Sequence, residues 1–481
     1  MSFLRRLADV SGLSSGSYDA TEDKGRRRPP RTRVKSEDSI ATERKRNILS
    51  ATTQDLSRNF AVAAWAIRKH LDFVSRFKFQ SKLDDDGFND ALEAAIKNAS
   101  KRFNFDASRR HSLRSATRLA ETCRVKEGDV GWLKLRSGRD RGRIQAIESS
   151  RIHMPRNANL QSPEDWVNGV RVNPATGESL EYGICDRDIR TGRLTLRRRV
   201  PARNMLLHAF YERYDQVRGV SPVAAGLNWF QDTYEGFEYA QAKMKVGQLF
   251  GLVVKQDSDV GLFPNRTSAT IDADEDGVDD SAHEVDLSSG IFNLDLDPGE
   301  DAQILESKNP STETTSFLKL MIHVALKSLD IPYSFFDESF TNFYGSRGGL
   351  IQYLKSCQDK IESLQQFLDE WTMWRIGLLV NDGEIALPSG VSFSDLRWSW
   401  VPDGIPWWDP VKEVRGQSMA VAAGFDNPYN VCNTVGTSFE ENIKMTAKAQ
   451  RFAESHGVPL VYADSTAFRP EVAIEGADHE R

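Results

Sequence analysis

The stretch QVRGVSPVAAGLNWFQDTYEGFEYAQAKMKVG, residues 216–247, joins a glycine turn to a long helical pattern. Ser221 is a residue type that caps helices. Pro222 is favoured at the first helical position, because an amide hydrogen there would have no intrahelical partner. The segment therefore predicts that the chain turns at Gly219 and enters a helix that runs to about Gly251.

The chain after this helix alternates between strand-like and helical patterns. A β-rich, acidic section covers 252–305, and a second helical pattern covers 312–329 until Pro332 stops it. After a glycine-containing loop at 344–349, apolar residues follow a heptad-like rhythm over roughly 30 residues, which predicts a rod of about 45 Å. These positions are Leu350, Leu354, Cys357, Ile361, Leu364, Leu368, Trp371 and Leu378. Two more helices are expected after Asp409 and Ser438.

The chain before residue 216 predicts helices followed by strands. An amphipathic helical face is formed by Leu56, Phe60, Ala63, Ala64, Ile67, Leu71 and Val74, and a second helix is expected at 88–102. Five short β-branched segments then predict a mostly antiparallel sheet. They are 130–135, 143–147, 169–172, 180–184 and 194–200. The fold class expected from the whole pattern is α+β.

Composition limits the class of protein. At 481 residues and 39% hydrophobic residues, the chain is expected to form two to four structural units with real cores. No apolar run of membrane-spanning length is present, and Met1–Val10 does not resemble a secretory signal. The cysteines are far apart, as expected for reduced thiols in a cytoplasmic setting. They are Cys123, Cys185, Cys357 and Cys432.

Charge is distributed unevenly along the chain. Lys24–Arg46 holds ten Lys/Arg and three Asp/Glu, whereas Asp272–Asp301 holds twelve Asp/Glu and no Lys or Arg. Both segments lack the apolar residues needed for a core, which predicts a flexible tail and a solvated loop. A second interpretation of the basic tail stays open: it binds nucleic acid or an acidic scaffold partner without sequence preference.

Motifs of enzyme active sites are missing from the sequence. There is no GxxxxGK[ST] loop, no GxGxxG after a strand, no GxSxG turn and no HExxH. The eight histidines are scattered singly. The sequence therefore offers no catalytic residue.

One acidic motif has the spacing of a calcium loop. Asp272, Asp274, Asp276 and Asp280 place carboxylates at alternate positions around Gly277, as in the opening of such loops. At the position where a bidentate Glu is expected, the chain has His283, and Glu284 follows one place late. Both a calcium site and a plain acidic surface loop remain open, and no other cofactor is expected.

Seven further motifs occur in an order that resembles the lambda-type family of phage portal proteins. The resemblance covers roughly Arg58–Glu454. The motifs are Arg58–Ile67, Glu127–Gly131, Gln145–Ile152, Asn168–Tyr182, His208 with Gln216–Pro222, Tyr344–Arg347, and Trp408–Glu441.

This resemblance implies a ring, usually of twelve subunits, around a DNA channel at one capsid vertex. Its parts would be a wing of helices and mostly antiparallel sheet, a two-helix stem, a β-rich clip and a helical crown. The implied boundaries are a basic disordered tail 1–48, wing 49–218 and 350–408, stem helices 219–251 and 312–330, clip 252–311 with the acidic insert, tunnel loop 331–349, crown 409–455, and a flexible tail 456–481.

The resemblance also implies partners and contact residues. Expected partners are double-stranded DNA without sequence preference, terminase, a head-completion or adaptor protein, and the major capsid and scaffold proteins, with no membrane and no catalytic activity. The residues expected nearest to DNA are Lys243, Lys245, Asn342, Tyr344 and Arg347. For the two lysines, ion pairs with a neighbouring subunit are an open alternative, and Arg347 could instead hold the loop to its own helix.

Two other functions stay open from the sequence. One is a scaffold or adaptor of a phage head or tail that is not the portal itself. The other is a calcium-dependent hydrolase that carries the Asp272 loop.

Overall fold

The structure is a computed structural model that describes residues 33–154, 165–188, 190–249, 252–256, 300–304, 311–337, 343–404, 409–458 and 460. The chain forms two compact units. The first combines Met1–Ala225 with Ser328–Arg481, and the second is Gly226–Lys327. The described elements are helices and antiparallel sheets, so the predicted α+β class is confirmed. None of the described helices is long and apolar enough to cross a membrane.

The first unit begins with three helices, α1 (Glu37–Ile40), α2 (Glu43–Asn59) and α3 (Ala61–Val74). The extended backbone of Phe60 (φ −114°) separates α2 from α3, whereas the apolar spacing predicts one continuous face. The expected disordered tail, residues 1–48, is also wrong at its end, because it overlaps α1 and the start of α2.

The chain then forms two sheets connected by helices. The elements are β1 (Phe77–Ser81), α4 (Asp86–Ala99), α5 (Arg102–Phe105), α6 (Leu113–Glu127), β2 (Asp129–Lys134), β3 (Ile144–Glu148), β4 (Trp166–Val167), β5 (Val170–Val172), β6 (Ser179–Arg187), β7 (Leu194–Pro201) and β8 (Met205–Ala209). One sheet has the order β3-β2-β8 and the other β4-β5-β6-β7, with antiparallel ladders throughout. The five predicted strands are therefore confirmed, but they are divided between two sheets.

The longest helix, α9 (Phe343–Asn381), has 39 residues and crosses the core of the first unit. Four of its eight heptad-like positions, Cys357, Leu364, Leu368 and Trp371, are buried at no more than 1% exposure, and the other four are half-buried. Trp371 packs on Phe105, with ring centroids 5.5 Å apart. The helix begins seven residues before Leu350 and therefore includes the last residues of the segment 331–349 that is expected to form the tunnel loop. Gly348 and Gly349 thus lie within the helix despite the low helical propensity of glycine.

A last strand, β11 (Trp398–Pro402), pairs with β1 and packs on α9. The indole of Trp398 donates to Asp369 Oδ1 at 2.8 Å, and that of Trp400 donates to Thr372 Oγ1 at 3.1 Å. The two indole hydrogen bonds therefore tie β11 to α9.

Three helices follow, α10 (Pro410–Ala422), α11 (Pro428–Thr434) and α12 (Phe439–Ser455). Each begins at a side-chain cap, from Asp409, Asn427 or Ser438, which accepts a hydrogen bond from a first-turn amide. The two predicted helices are confirmed, and α11 lies between them.

The second unit consists of a helix, a strand pair and a returning helix. These are α7 (Leu227–Leu249), the antiparallel strands β9 (Leu252–Gln256) and β10 (Glu300–Ile304), and α8 (Thr312–Leu326). The two helices pack on each other. Both are shorter than the implied stem helices, 219–251 and 312–330, because 3-10 turns precede α7 and follow α8. The intervening 257–299 lie outside the described residues.

Candidate functional site

Residues 216–221, named the junction here, lie between β8 and α7 in the chain. One buried ion pair, between Arg218 and Asp129, fixes the junction to the first unit. Arg218 Nε and Nη2 donate to the two carboxylate oxygens of Asp129, each at 2.7 Å. Arg218 Nη1 donates to the carbonyl oxygens of Ile152 (2.8 Å) and Asn168 (2.7 Å), and Nη2 donates to that of Ser149 (3.0 Å). Arg218 is 2% exposed and Asp129 is 0% exposed. The guanidinium thus joins the start of β2, the turn after β3 and the turn between β4 and β5.

A second arginine reaches the same carboxylate from α2. Arg46 Nη2 donates to Asp129 Oδ2 at 3.1 Å and to Ser149 Oγ at 3.2 Å, and Nη1 donates to the carbonyl oxygen of Gly219. This explains why the expected tail 1–48 is ordered at its end: its last arginines include one that is buried against the junction. No local sequence pattern distinguishes Arg46 from the other arginines of this segment.

The charges of the cluster shift the pKa values of its members. Burial alone would raise the pKa of Asp129, but the two guanidinium groups outweigh burial and lower it to about 2. Burial and the neighbouring Arg218 lower the pKa of Arg46. Burial also acts against the charge of Arg218, but Asp129 prevails and raises its pKa. Asp129 is therefore ionised at neutral pH, and the backbone carbonyls that accept from Arg218 help to disperse the remaining positive charge.

Two glycine backbones cross at the junction. Gly128 has φ +98°, a conformation that favours glycine, and a Cβ on it would lie 2.5 Å from the carbonyl oxygen of Gly219. A Cβ on Gly219 would overlap the carbonyl oxygen of Gly128. The amide of Phe210 donates to that same oxygen at 3.0 Å, and the amide of Val220 donates to Phe210 O at 3.2 Å. The junction is therefore closed by backbone contacts that leave no room for a side chain.

The polar residues at the two ends of the junction fix its backbone. The side-chain nitrogen of Gln216, Nε2, donates to the carbonyl oxygens of Phe210 (3.1 Å) and Arg218 (2.8 Å). Ser221 Oγ donates to the carbonyl oxygen of Val125 at 2.6 Å, at the end of α6. The motif that carries the resemblance at residues 216–222 is thus a structural lock, placed where the chain leaves the first unit.

Beside the junction, a second buried cluster surrounds Glu121 on α6. Its carboxylate lies 2.7 Å from His70 Nε2 and 2.9 Å from His208 Nε2, and it accepts from Arg124 Nε at 2.7 Å. All four side chains are at most 3% exposed. The cluster connects α3, α6 and β8. Its ionised form is stable because burial, which would raise the pKa of Glu121, is outweighed by Arg124 and the two imidazoles, which lower it well below its usual range.

This cluster should make the fold sensitive to mild acid. Burial lowers the pKa values of His70 and His208, so the folded chain keeps both rings neutral where the unfolded chain takes up protons, below about pH 6.5. The unfolded state then binds more protons than the folded state. As the pH is lowered, the free energy of unfolding therefore decreases by up to about 1.4 kcal/mol per pH unit for each histidine. Thermal unfolding midpoints between pH 7 and 5 should show this fall. They should be flatter in His70→Gln/His208→Gln, and an equally steep variant would contradict the assignment.

A comparison with known proteins identifies the family. Residues 24–359 match the family described as phage portal protein, lambda family, which is more than half of the chain. The chain belongs to the lambda family of phage portal proteins. It is therefore a portal vertex protein, a component of the virion, and the resemblance to this family is confirmed. The last of the seven motifs, Trp408–Glu441, lies beyond the matched residues.

Solved structures give weaker similarities to this portal protein. The neck of an empty gene transfer agent particle matches at 11% identity and TM-score 0.49, over 80% of this chain and 93% of the other. The neck of the native particle matches at 11% and 0.48, over 82% and 98%. An HK97-family portal protein from Corynebacterium diphtheriae matches at 11% and 0.29, over 78% and 98%. No curated protein matches. The family assignment therefore rests on the sequence match.

The two lysines expected near DNA lie on the portal protein's second unit. Lys243 and Lys245 are exposed on α7, four to six residues before its end at Leu249. Neither forms an ion pair with another residue that the structure describes. Their contact with DNA stays a prediction.

The other three residues expected near DNA are Asn342, Tyr344 and Arg347. Asn342 lies outside the described residues, and Tyr344 is in the first turn of α9. Arg347 Nη2 lies 3.3 Å from Glu413 Oε1 on α10, and the arginine is 38% exposed. This contact favours the alternative in which Arg347 holds its segment to a helix of the same chain.

The structure gives the hydrolase alternative no support. Among the described residues, no three His, Cys, Asp or Glu side chains are grouped so that they could share a metal ion. Asp272, Asp274, Asp276 and Asp280 lie outside those residues, so the calcium loop stays a prediction. A cavity of about 710 Å³ beside β1 has no histidine or cysteine in its lining, and its Lys78 is paired with Glu441.

Proposed function

We propose that the chain forms a closed ring, expected to contain about twelve copies, whose channel carries double-stranded DNA into and out of the capsid without reading its sequence. The wing would be 49–218 with 350–408, and the crown 409–455. Terminase and later a head-completion or adaptor protein would dock on the clip. Major capsid and scaffold proteins would contact the ring from outside. No catalytic residue is needed for this function.

The observation that carries the proposal is the form of the second unit. The chain leaves the locked junction, runs through α7, makes the antiparallel pair β9–β10, and returns along α8, which packs on α7. In this proposal, α7 and α8 are the two-helix stem, and β9 and β10 belong to the clip. A scaffold or adaptor that is not the portal would not be expected to have this unit.

The charges on α7 suit a surface along which DNA slides. Asp232, Glu235 and Glu238 are exposed on the helix before Lys243 and Lys245. Each phosphate that a cation neutralises adds affinity, so a continuous basic wall would hold DNA in place. A helix with three carboxylates and two lysines repels the backbone over most of its length and holds it weakly at one end.

Electron microscopy of the purified protein, combined with one double variant, tests this function. We expect rings with a central hole for both the wild type and Lys243→Ala/Lys245→Ala. The variant should package DNA less efficiently, because it lacks the weak phosphate contacts, and this is measured as the fraction of DNA-filled heads. Lys97→Ala/Lys355→Ala, which also removes two exposed helical lysines, is the control. Monomers in the wild type would overturn the ring, and unchanged packaging in the α7 variant would remove these lysines from the DNA path.

A further inference from the structure

The hairpin formed by β6 and β7 is strongly basic. Residues 187–203, named the arginine hairpin here, contain seven arginines, no lysine and a single acidic residue, Asp188. The segment includes the end of β6, the turn, the whole of β7 and the short 3-10 turn Ala202–Asn204. It belongs to the first unit, whereas the lysines of α7 belong to the second.

Three of these arginines have partners within the chain. Arg187 donates to Ser150 Oγ at 3.0 Å, Arg197 pairs with Asp186 at 3.1 Å, and Arg198 donates to Gln145 Oε1 at 2.9 Å. The other four are exposed, and within the described part of the chain none of their side chains forms an ion pair. These are Arg190, Arg193, Arg199 and Arg203.

The single carboxylate of the arginine hairpin, that of Asp188, accepts hydrogen bonds from the backbone of the turn. Asp188 Oδ1 accepts from the amides of Arg190 (2.7 Å) and Thr191 (3.1 Å), and these bonds lower the pKa of Asp188. The Asp188 amide donates to Arg193 O at 2.9 Å, and the Gly192 amide donates to Asp188 O at 2.8 Å. The backbone that carries the two tip arginines is therefore ordered, and their guanidinium groups are left for an outside partner.

We propose that the arginine hairpin is a second DNA-binding surface, which holds the phosphate backbone of double-stranded DNA that is not threaded through the ring. A guanidinium fork binds phosphate oxygens with two parallel hydrogen bonds, and each neutralised phosphate releases counterions. The proposal rests on the proposed function only in that a portal ring meets DNA.

The surroundings favour DNA over an acidic protein as the partner. Protein interfaces usually contain an apolar centre within a polar rim. Among the described residues between Leu119 and Tyr211, no large hydrophobic side chain is exposed. The exposed charges of the arginine hairpin are guanidinium groups apart from Asp188, which suits a polyanion whose binding is sequence-independent.

Binding of closed circular duplex DNA to the assembled protein tests the proposal, because a closed circle cannot thread a closed ring. The variant is Arg190→Ala/Arg193→Ala/Arg199→Ala/Arg203→Ala. Its control removes four arginines that are ion-paired within the chain, Arg76, Arg114, Arg118 and Arg141. Affinity is measured over a range of salt concentrations, and thermal unfolding is followed to exclude loss of folding.

The hairpin variant should bind DNA at least about tenfold more weakly at low salt, and the slope of log K against log salt should be shallower by roughly 3–4, at about 0.9 for each phosphate contact. The control and Lys243→Ala/Lys245→Ala should keep the wild-type slope. An unchanged slope in the hairpin variant, or an equal loss in the control, would overturn the proposal. So would a hairpin-dependent binding of polyglutamate that DNA does not share. Rings seen by microscopy report on the proposed function independently of either result.

Discussion

Replacement of Arg218 with leucine is expected to lower the free energy of unfolding of the portal chain by about 3–5 kcal/mol, because it removes one partner of a buried ion pair. Of the two arginines that the structure describes beside Asp129, Arg46 would remain, and the carbonyl oxygens of Ile152 and Asn168 would lose their charged donor. The change is measured as a shift of the urea unfolding midpoint, followed by tryptophan fluorescence. Trp132 and Trp371 are buried in the same unit and report on it.

The matched control is Arg141→Leu. Arg141 also makes a bidentate pair, with Asp382 at 2.6 and 2.7 Å, but the two side chains are 37% and 31% exposed. An exposed pair of this kind contributes about 0–1 kcal/mol, so the midpoint should hardly move. Arg218→Lys should also be destabilised, because an ammonium group cannot reproduce the guanidinium fork. If Arg218→Leu and Arg141→Leu lost equal stability, burial would not be the deciding factor and the lock at the junction would be refuted.

The sequence predicts those parts of the fold that depend on local patterns. The alternation of apolar residues in 194–200 and the heptad-like spacing from Leu350 to Leu378 reflect which face of one element is buried, and neighbours in sequence carry that information. Both elements are present in the structure. The junction was also recognisable as a turn, since Gly219, Ser221 and Pro222 are the residue types that turns and helix starts require.

Partners that are distant in sequence could not be predicted from a single chain. Asp129 and Arg218 are 89 positions apart, and neither differs in type from the many exposed Asp and Arg residues. Arg46 ends a segment whose net charge predicts a solvated tail, and only the position of Asp129 in space explains why this one arginine is buried. The pairing of β1 with β11 joins Phe77 to Pro402. In each case the decisive interaction joins residues that are distant in sequence, and neither local pattern nor composition contains information about such a pairing.

A methyl group at Gly219 is expected to be as damaging as the loss of Arg218. The Cβ of Gly219→Ala would overlap the Gly128 carbonyl oxygen and lie 2.9 Å from the Phe210 nitrogen, so the crossing backbones would have to separate. Those atoms carry the hydrogen bond from Phe210 N to Gly128 O. The Gly219 amide also donates to Asp129 Oδ2 at 3.0 Å. Overpacking together with the loss of buried hydrogen bonds should cost about 3–5 kcal/mol.

Alanine substitutions at two other glycines distinguish steric contact from backbone strain as the cause of this loss of stability. The same urea titration is the measurement. Gly138 has φ +76° and open space around it, so Gly138→Ala tests backbone strain alone and should cost about 1–2 kcal/mol. Gly416 lies inside α10 with nothing near its Cβ position, so Gly416→Ala should stabilise the helix by up to about 1 kcal/mol. No positive φ is present at Gly219, so its loss must come from contact. A Gly219→Ala chain with the wild-type midpoint would mean that the two backbones do not cross this closely at the junction.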